Sequence, residues 1–206
     1  NGPWEFAFDD ANAGEAGQWY RRADAPFDRT IVVPFVYQSP LSGIGLRERH
    51  DIVWYRRAFD LPAGFEGMRW LLHFGAVDYA AKVWLNGELA GSHEGGHTPF
   101  TLDITPWVKE QGNTLVVRAQ DDMGDLELPR GKQYWKETSE AIWYTPTTGI
   151  WQTVWLEPVH PTHLDVLRIT PDVDRHEVHL ELQVAGAVEG ASVEVAVSFE
   201  GHTFAR

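Results

Sequence analysis

Apolar and polar residues alternate in short runs along most of this chain. Such runs cover Trp4 to Phe8, Thr30 to Val33, Val53 to Leu61, Arg69 to Phe74, Ala80 to Leu85, Phe100 to Ile104, Thr114 to Ala119 and Ile150 to Leu156. A period of two sends successive side chains to opposite faces of an extended backbone, so the pattern predicts an all-β protein. Turn-forming residues fill the gaps, as at Leu61-Pro62-Ala63-Gly64 and Gln111-Gly112-Asn113, and no 3.6-residue apolar period persists. Asn86-Gly87, which tolerate positive φ, predict a tight hairpin after Val83 and Leu85. One isolated helical turn is expected at 105–109, with Thr105 capping and Pro106 in first position.

The pattern changes after Pro158. An extended His163 to Thr170 leads into Val178, Leu180, Leu182 and Val184, which alternate with His179, Glu181 and Gln183; Val193, Val195, Val197 and Phe199 form another apolar face. Two domains are therefore expected, 1–158 and 159–206. A closed sandwich needs about seven strands, so the second is expected to be truncated. Asn1 in place of an initiator methionine suggests a trimmed start.

Between the hairpin and Thr105 lies His93-Glu94-Gly95-Gly96-His97, which matches the H-E-x-x-H zinc motif. That chemistry needs a helix, where residues four apart share one face and both imidazoles reach one metal. Two glycines, each costing about 1 kcal/mol in a helix interior, and Pro99 just beyond oppose a helix. A strand followed by a glycine-hinged loop is expected instead, with no metal bound.

Composition narrows the function classes. A net charge of −13 among 206 residues disfavours nucleic acid and anionic membranes as partners and leaves a neutral or cationic partner favoured. The absence of cysteine removes disulfides and thiol catalysis and leans towards the cytoplasm, with secretion left open by the trimmed start. No apolar run reaches the ~18 residues that span a bilayer. Ten Trp, ten Phe and six Tyr suit β cores and also the aromatic faces on which sugar rings stack. The chain has no G-x-S-x-G elbow, no phosphate loop and no dinucleotide fingerprint.

Five ordered segments carry a family resemblance: Val53-Trp54-Tyr55-Arg56-Arg57, Phe74-Gly75-Ala76-Val77-Asp78, Val83-Trp84-Leu85-Asn86-Gly87, Gly95-Gly96-His97-Thr98-Pro99-Phe100 and Thr148 to Glu157. Together they resemble the amino-terminal domain of glycoside hydrolase family 2, which includes β-galactosidases, β-glucuronidases and β-mannosidases. The resemblance implies a jelly-roll sugar-binding domain over 1–158 (galactose-binding-like), then the start of an immunoglobulin-like sandwich, with the catalytic TIM barrel outside the chain. Family members use two glutamates for retaining hydrolysis, one of them following an asparagine. No Asn-Glu pair occurs here, so no catalytic residue is assigned and no cofactor is expected.

The resemblance also implies that Gln38 to Asp51 and Lys132 to Gly149 lie on the rim of a sugar pocket. The candidate substrate-binding residues are His50, Asp51, Arg130, Lys132, Trp135, Trp143 and Tyr144. Where galactosidases and glucuronidases place an acid six positions before Gly-Ile, this chain has Trp143. That exchange offers an indole face in place of a carboxylate, or a side chain packed against the sandwich. Arg130 and Lys132 can serve sugar hydroxyls or pair with Asp121, Asp122, Asp125 and Glu127, an acidic cluster expected to be a solvated loop because it lacks EF-hand spacing. The leading reading is a non-catalytic scaffold and active-site rim of a β-glycosidase, whose partners are a carbohydrate, its own barrel and, in an oligomer, a second copy. A free-standing carbohydrate-binding module and a structural adhesion module are the alternatives.

Overall fold

The computed structural model describes residues 1–136, 138–187, 189–190 and 192–205. They separate into two compact units, Asn1–Pro158 and Val159–Arg206. In chain order the strands are β1 (Gly2–Phe8), β2 (Arg29–Val33), β3 (Ile52–Phe59), β4 (Arg69–Phe74), β5 (Val77–Asp78), β6 (Ala80–Leu85), β7 (Glu88–Glu94), β8 (Phe100–Asp103), β9 (Asn113–Gln120), β10 (Gly149–Ile150), β11 (Val154–Val159), β12 (His163–Asp172), β13 (Glu177–Ala185), β14 (Val197–Phe199) and β15 (His202–Ala205). The fold is all-β, as the alternation predicts.

The first unit is a sandwich. A six-stranded sheet in the order β2-β1-β3-β9-β6-β7 faces a three-stranded sheet β11-β4-β8, and β10 pairs with β5 at one end. Alternation decides which residues meet between the layers: Trp4 and Phe6, Val53 and Tyr55, Ala81, Val83 and Leu85, and Leu115, Val117 and Ala119 from the large sheet. They pack on Trp70, Leu72, Phe74 and Val154 from the small one. Fully burying side chains of this size contributes about 1.5 to 3 kcal/mol each.

The outward face of the same sheet is also apolar at its centre. Ala7, Ile52, Trp54, Trp84 and Val116 form a second buried cluster, covered by Trp19, Tyr20 and Phe27 from the β1–β2 connection. The rings form a layered series: Tyr20 lies 4.8 Å from Trp84 at 8°, and Trp84 lies 5.4 Å from Trp54 at 19°. Asp9 secures this cover. Its carboxylate, 3% exposed, accepts from the backbone N–H of Ala13 (2.7 Å) and Gly14 (2.9 Å) and from Trp54 Nε1 (2.9 Å). Gly14 is there because a Cβ would stand 2.6 Å from the Trp54 ring.

The hairpin and the motif region fold as the sequence predicts. Asn86 (φ 53°) and Gly87 (φ 87°) turn β6 into β7, and the Asn86 amide bonds Trp107 O at 2.8 Å and Thr114 N at 2.9 Å. His93 and Glu94 end strand β7, so the two histidines do not share a helical face. The His93 ring stacks on Phe100 at 4.4 Å with Nε2 3.0 Å from Thr98 Oγ1, and His97 meets Trp151 edge-on at 5.7 Å. The turn after β8 differs in its cap. Asp103 Oδ1 accepts from Thr105 N at 3.1 Å, while Thr105 Oγ1 accepts from Trp70 N at 2.8 Å and so ties the turn to β4. The N–H groups of Trp107 and Val108 both go to Ile104 O at 3.0 Å, so none is left for the Thr105 hydroxyl to cap.

In the second unit β12 and β13 form a long antiparallel hairpin with a register shift between Leu164 and Val166, and β14 pairs with β15. The strand expected from Val193 is confined to Val197–Phe199. Leu164, Leu167, Ile169, Val178, Val195 and Phe199 are all exposed. Two separate hairpins have no facing layer to cover these side chains.

Replacing Asp9 with Ala removes the acceptor of three donors, two of them buried, and the loss is expected to be about 2 kcal/mol. Gly14→Ala is expected to displace the Trp54 indole and cost a similar amount. Urea denaturation followed by tryptophan fluorescence checks both; wild-type midpoints would contradict this role for Asp9.

Candidate functional site

The most polar buried ground in the first unit lies where the connection between β9 and β10 leaves and rejoins the sandwich. Asp121 continues β9 and donates its N–H to Asp51 O at 2.8 Å. At the other end Gly149 pairs with Asp78 and Ile150 with Val77. The buried Tyr55 hydroxyl accepts from Ile150 N at 3.1 Å, and Gly149, at φ 99°, lies so close to that hydroxyl that no Cβ fits.

Between these anchors Asp78 organises the neck of the connection. It is 4% exposed and accepts from Gln133 Nε2 at 2.7 Å. The Thr147 hydroxyl lies 3.3 Å from Asp78 Oδ2 and 3.0 Å from Gln133 Oε1, which also accepts from Thr147 N at 2.5 Å. Backbone bonds from Tyr134 N to Tyr144 O (2.9 Å) and from Tyr144 N to Lys132 O (2.8 Å) close the same neck. Gly96 belongs to this arrangement: the Asp78 carboxylate occupies the space where its Cβ would be. Its carbonyl accepts from Trp151 Nε1 at 2.7 Å. The second glycine of the apparent zinc motif therefore makes room for a buried acid. Among the described residues no group of three or more His, Asp or Glu side chains converges as a metal site.

Asp121 is a second, half-buried acid here. Its Oδ2 accepts from Thr148 Oγ1 at 3.3 Å. Burial, reinforced by the negative charge of Asp78, pushes its carboxyl up to about 7 against the opposing pull of Thr148 and Arg130. Burial also raises Asp78, opposed by the Gln133 bond and the His97 ring. The acidic cluster is thus not one solvated loop, because its members face different ways. Asp121 turns inward, Asp122 meets Arg49 at 2.5 Å, and Asp125 Oδ1 accepts from Glu127 N at 2.9 Å.

The predicted site residues divide into committed and available side chains. His50 stacks on Phe8 at 3.7 Å and pairs with Asp10 at 2.8 Å, while Asp51 holds Arg49 through two bonds of 2.7 and 2.8 Å. Arg130 donates to the backbone carbonyls of Met123 (2.7 Å) and Asp125, so its partners are carbonyls and not the nearby carboxylates. Trp143 is half-buried, parallel to Tyr134 at 6.0 Å and edge-on to Trp135 at 5.2 Å. Lys132 is exposed, as are Trp135 (42%) and Tyr144 (67%). Lys132, Trp135, Trp143 and Tyr144 share one cross-bridged connection, whereas His50 and Asp51 belong to the segment leading into β3.

The list of candidates omitted three residues that the structure makes prominent. Asp78 is a buried acid and Asp121 a half-buried one; for Asp78 the only signal was an acid inside the apolar run Ala76-Val77-Asp78-Tyr79-Ala80. Gln38 is 7% exposed, and neither amide atom has a hydrogen-bond partner among the described residues. A buried amide in that state costs about 1 to 3 kcal/mol per group unless water or a ligand supplies the bond. Its place in the 38–51 segment was legible; its burial was not.

Because the Asp121 carboxyl is raised, the folded chain binds an extra proton that the unfolded chain releases near pH 4. The associated stability is present below that pH and is lost as pH rises through about 7. Asp121→Asn is expected to flatten the decline in Tm between about pH 4 and pH 7, the window these two values set. Thermal melts of both proteins check this; parallel pH profiles would refute it.

Known proteins resemble the chain over much of this architecture. The profile described as "Glycosyl hydrolases family 2, sugar binding domain" matches residues 1–124. A β-glucuronidase of Paenibacillus borealis is 36% identical over 135 residues, covering 64% of this chain and 22% of that protein. The β-galactosidase large subunit of Leuconostoc lactis is 25% identical over 200 residues, covering 97% of this chain and 27% of its own length. Among solved structures, a β-glucuronidase from Ruminococcus gnavus in complex with D-glucaro 1,5-lactone superposes with a TM-score of 0.72 at 24% identity; the match covers 91% of this chain and 34% of that one. The chain thus spans about a quarter of the curated relatives it matches. With a family profile matched across more than half its length and a sandwich of the same fold, the chain belongs to glycosyl hydrolase family 2, as a sugar binding domain.

Proposed function

We propose that this chain is the non-catalytic amino-terminal region of a retaining β-glycosidase, and that its connections 38–51 and 121–148 form one wall of a sugar pocket completed by a catalytic barrel outside the chain. The observation that carries the reading is the family match together with the fraction spanned: glycosidases several times longer align with this chain over only 22% and 27% of their length. The chain also lacks an Asn-Glu pair.

The local chemistry fits a wall better than an active centre. Asp78 and Asp121 spend their hydrogen bonds on Gln133, Thr147 and Thr148, so they position the connection and leave bond cleavage to other groups. What the connection presents outward is Trp135, Tyr144 and Lys132, two stacking surfaces and one donor. The second unit is the start of an immunoglobulin-like domain in this reading.

In the full-length protein, Trp135→Ala and Tyr144→Ala are each expected to raise KM for a nitrophenyl β-glycoside up to about tenfold with Tm unchanged, the loss of one stacking contact. The 206-residue chain alone is expected to hydrolyse none. Unchanged KM in both variants, or hydrolysis by the short chain, would overturn the assignment.

A further inference from the structure

The outward face of the six-stranded sheet carries a cleft of about 480 Å³ that shares no lining residue with 38–51 or 121–148. Glu5, Arg56 and Val116 of the sheet, Trp19, Tyr20 and Arg22 of the β1–β2 connection, and Lys109 line it. Its volume is that of an ordinary small-ligand site.

Charge distinguishes it. In a chain of net −13, the lining holds four cations, Arg21, Arg22, Arg56 and Lys109, and one acid, Glu5. Three of the cations are engaged. Arg56 holds Glu5 through bonds of 2.6 and 2.8 Å and is braced by the carbonyls of Arg22 (3.1 Å) and Ala23 (3.2 Å). Arg22 pairs with Asp24 at 2.8 Å and Arg21 with Glu88 at 3.3 Å. Lys109 is exposed, and among the described residues no acid lies at its ammonium. The half-exposed Glu5 carboxylate on its locked guanidinium forms a planar pair with free acceptor positions. Trp19, partly exposed, packs one side on Trp54 at 5.6 Å.

We infer that this cleft binds an acidic saccharide, a chain containing hexuronate units. The uronate carboxylate meets the Lys109 ammonium. Ring hydroxyls donate to Glu5 and accept from the arginine N–H groups, and the C–H face of the pyranose lies against Trp19. A neutral sugar leaves Lys109 unused, and a polyphosphate finds only one unengaged cation. The overall negative charge of the chain does not oppose this, since beyond about 8 to 10 Å exposed charges are screened at physiological salt. The inference extends past the pocket wall proposed above and stands on different residues.

The test is titration of the 206-residue chain with an α-1,4-linked galacturonate trisaccharide and with its carboxyl-reduced galactose counterpart, read by calorimetry and by the indole N–H resonance of Trp19. Saturable binding of the acidic sugar that moves the Trp19 signal is expected, weakened at least about fivefold for the neutral counterpart and about tenfold by Lys109→Glu. Binding should also weaken as salt rises. Lys109 is exposed, so the variant keeps its fold; Arg22→Ala, which loses only the exposed Asp24 pair, is a second variant expected to weaken binding. Absence of saturation would overturn the inference. So would equal affinity for both sugars, indifference to Lys109→Glu and Arg22→Ala together, or shifts confined to 121–148.

Discussion

The sandwich depends on a sheet that is apolar on both faces at its centre. Strands β3, β9 and β6 send Val53, Val117 and Val83 one way and Trp54, Val116 and Trp84 the other. One facing sheet satisfies only half of that. The β1–β2 connection supplies the other half, and it can do so only because the buried Asp9 carboxylate gathers the N–H groups of Ala13, Gly14 and the Trp54 indole at one point. A single charged group thus converts a loop into a layer. The burial of that charge is offset by three hydrogen bonds, two of them from backbone that would otherwise be unsatisfied.

The same economy recurs at two further acids. Asp78 ties Gln133 and Thr147 together beside Gly96, and Asp121 receives Thr148. Where Asp9 is surrounded by donors, Asp78 and Asp121 lie close enough for each charge to raise the other's cost, so at Asp121 ionisation is delayed into the neutral range. Acids on one chain therefore fasten different things: Asp9 a layer, Asp78 and Asp121 the two ends of a surface connection.

Much of this was legible in the sequence because a two-residue period leaves a direct trace. Val83, Leu85 and the Asn86-Gly87 turn announce a hairpin, and the glycines between His93 and His97 rule out the helix a zinc site needs. What was not legible is long-range pairing of polar groups. Nothing near Asp121 in the sequence distinguishes it from Asp122, yet one turns under Thr148 and the other meets Arg49. The contacts of His50 were hidden for the same reason, since Phe8 and Asp10 lie far from it along the chain. Strand alternation is a local property, whereas burial of a polar side chain is decided by partners that the fold brings in from elsewhere. The strand expected from Val193 contracted to the three residues that pair with β15, because propensity alone does not sustain a ladder where Val193 and Val195 have no paired strand among the described residues.

The neck closed by Gln133 and Thr147 has an evolutionary consequence. Because those two residues and Asp78 bond one another, the segment they bracket begins and ends at one place on the sandwich, a lariat tied to a fixed post. Lengthening such a loop costs only about 0.6 kcal/mol per doubling. Its sequence and length can therefore drift while the layers beneath keep their register. One sandwich can in this way carry different surfaces, with change confined to residues between the knot and its return.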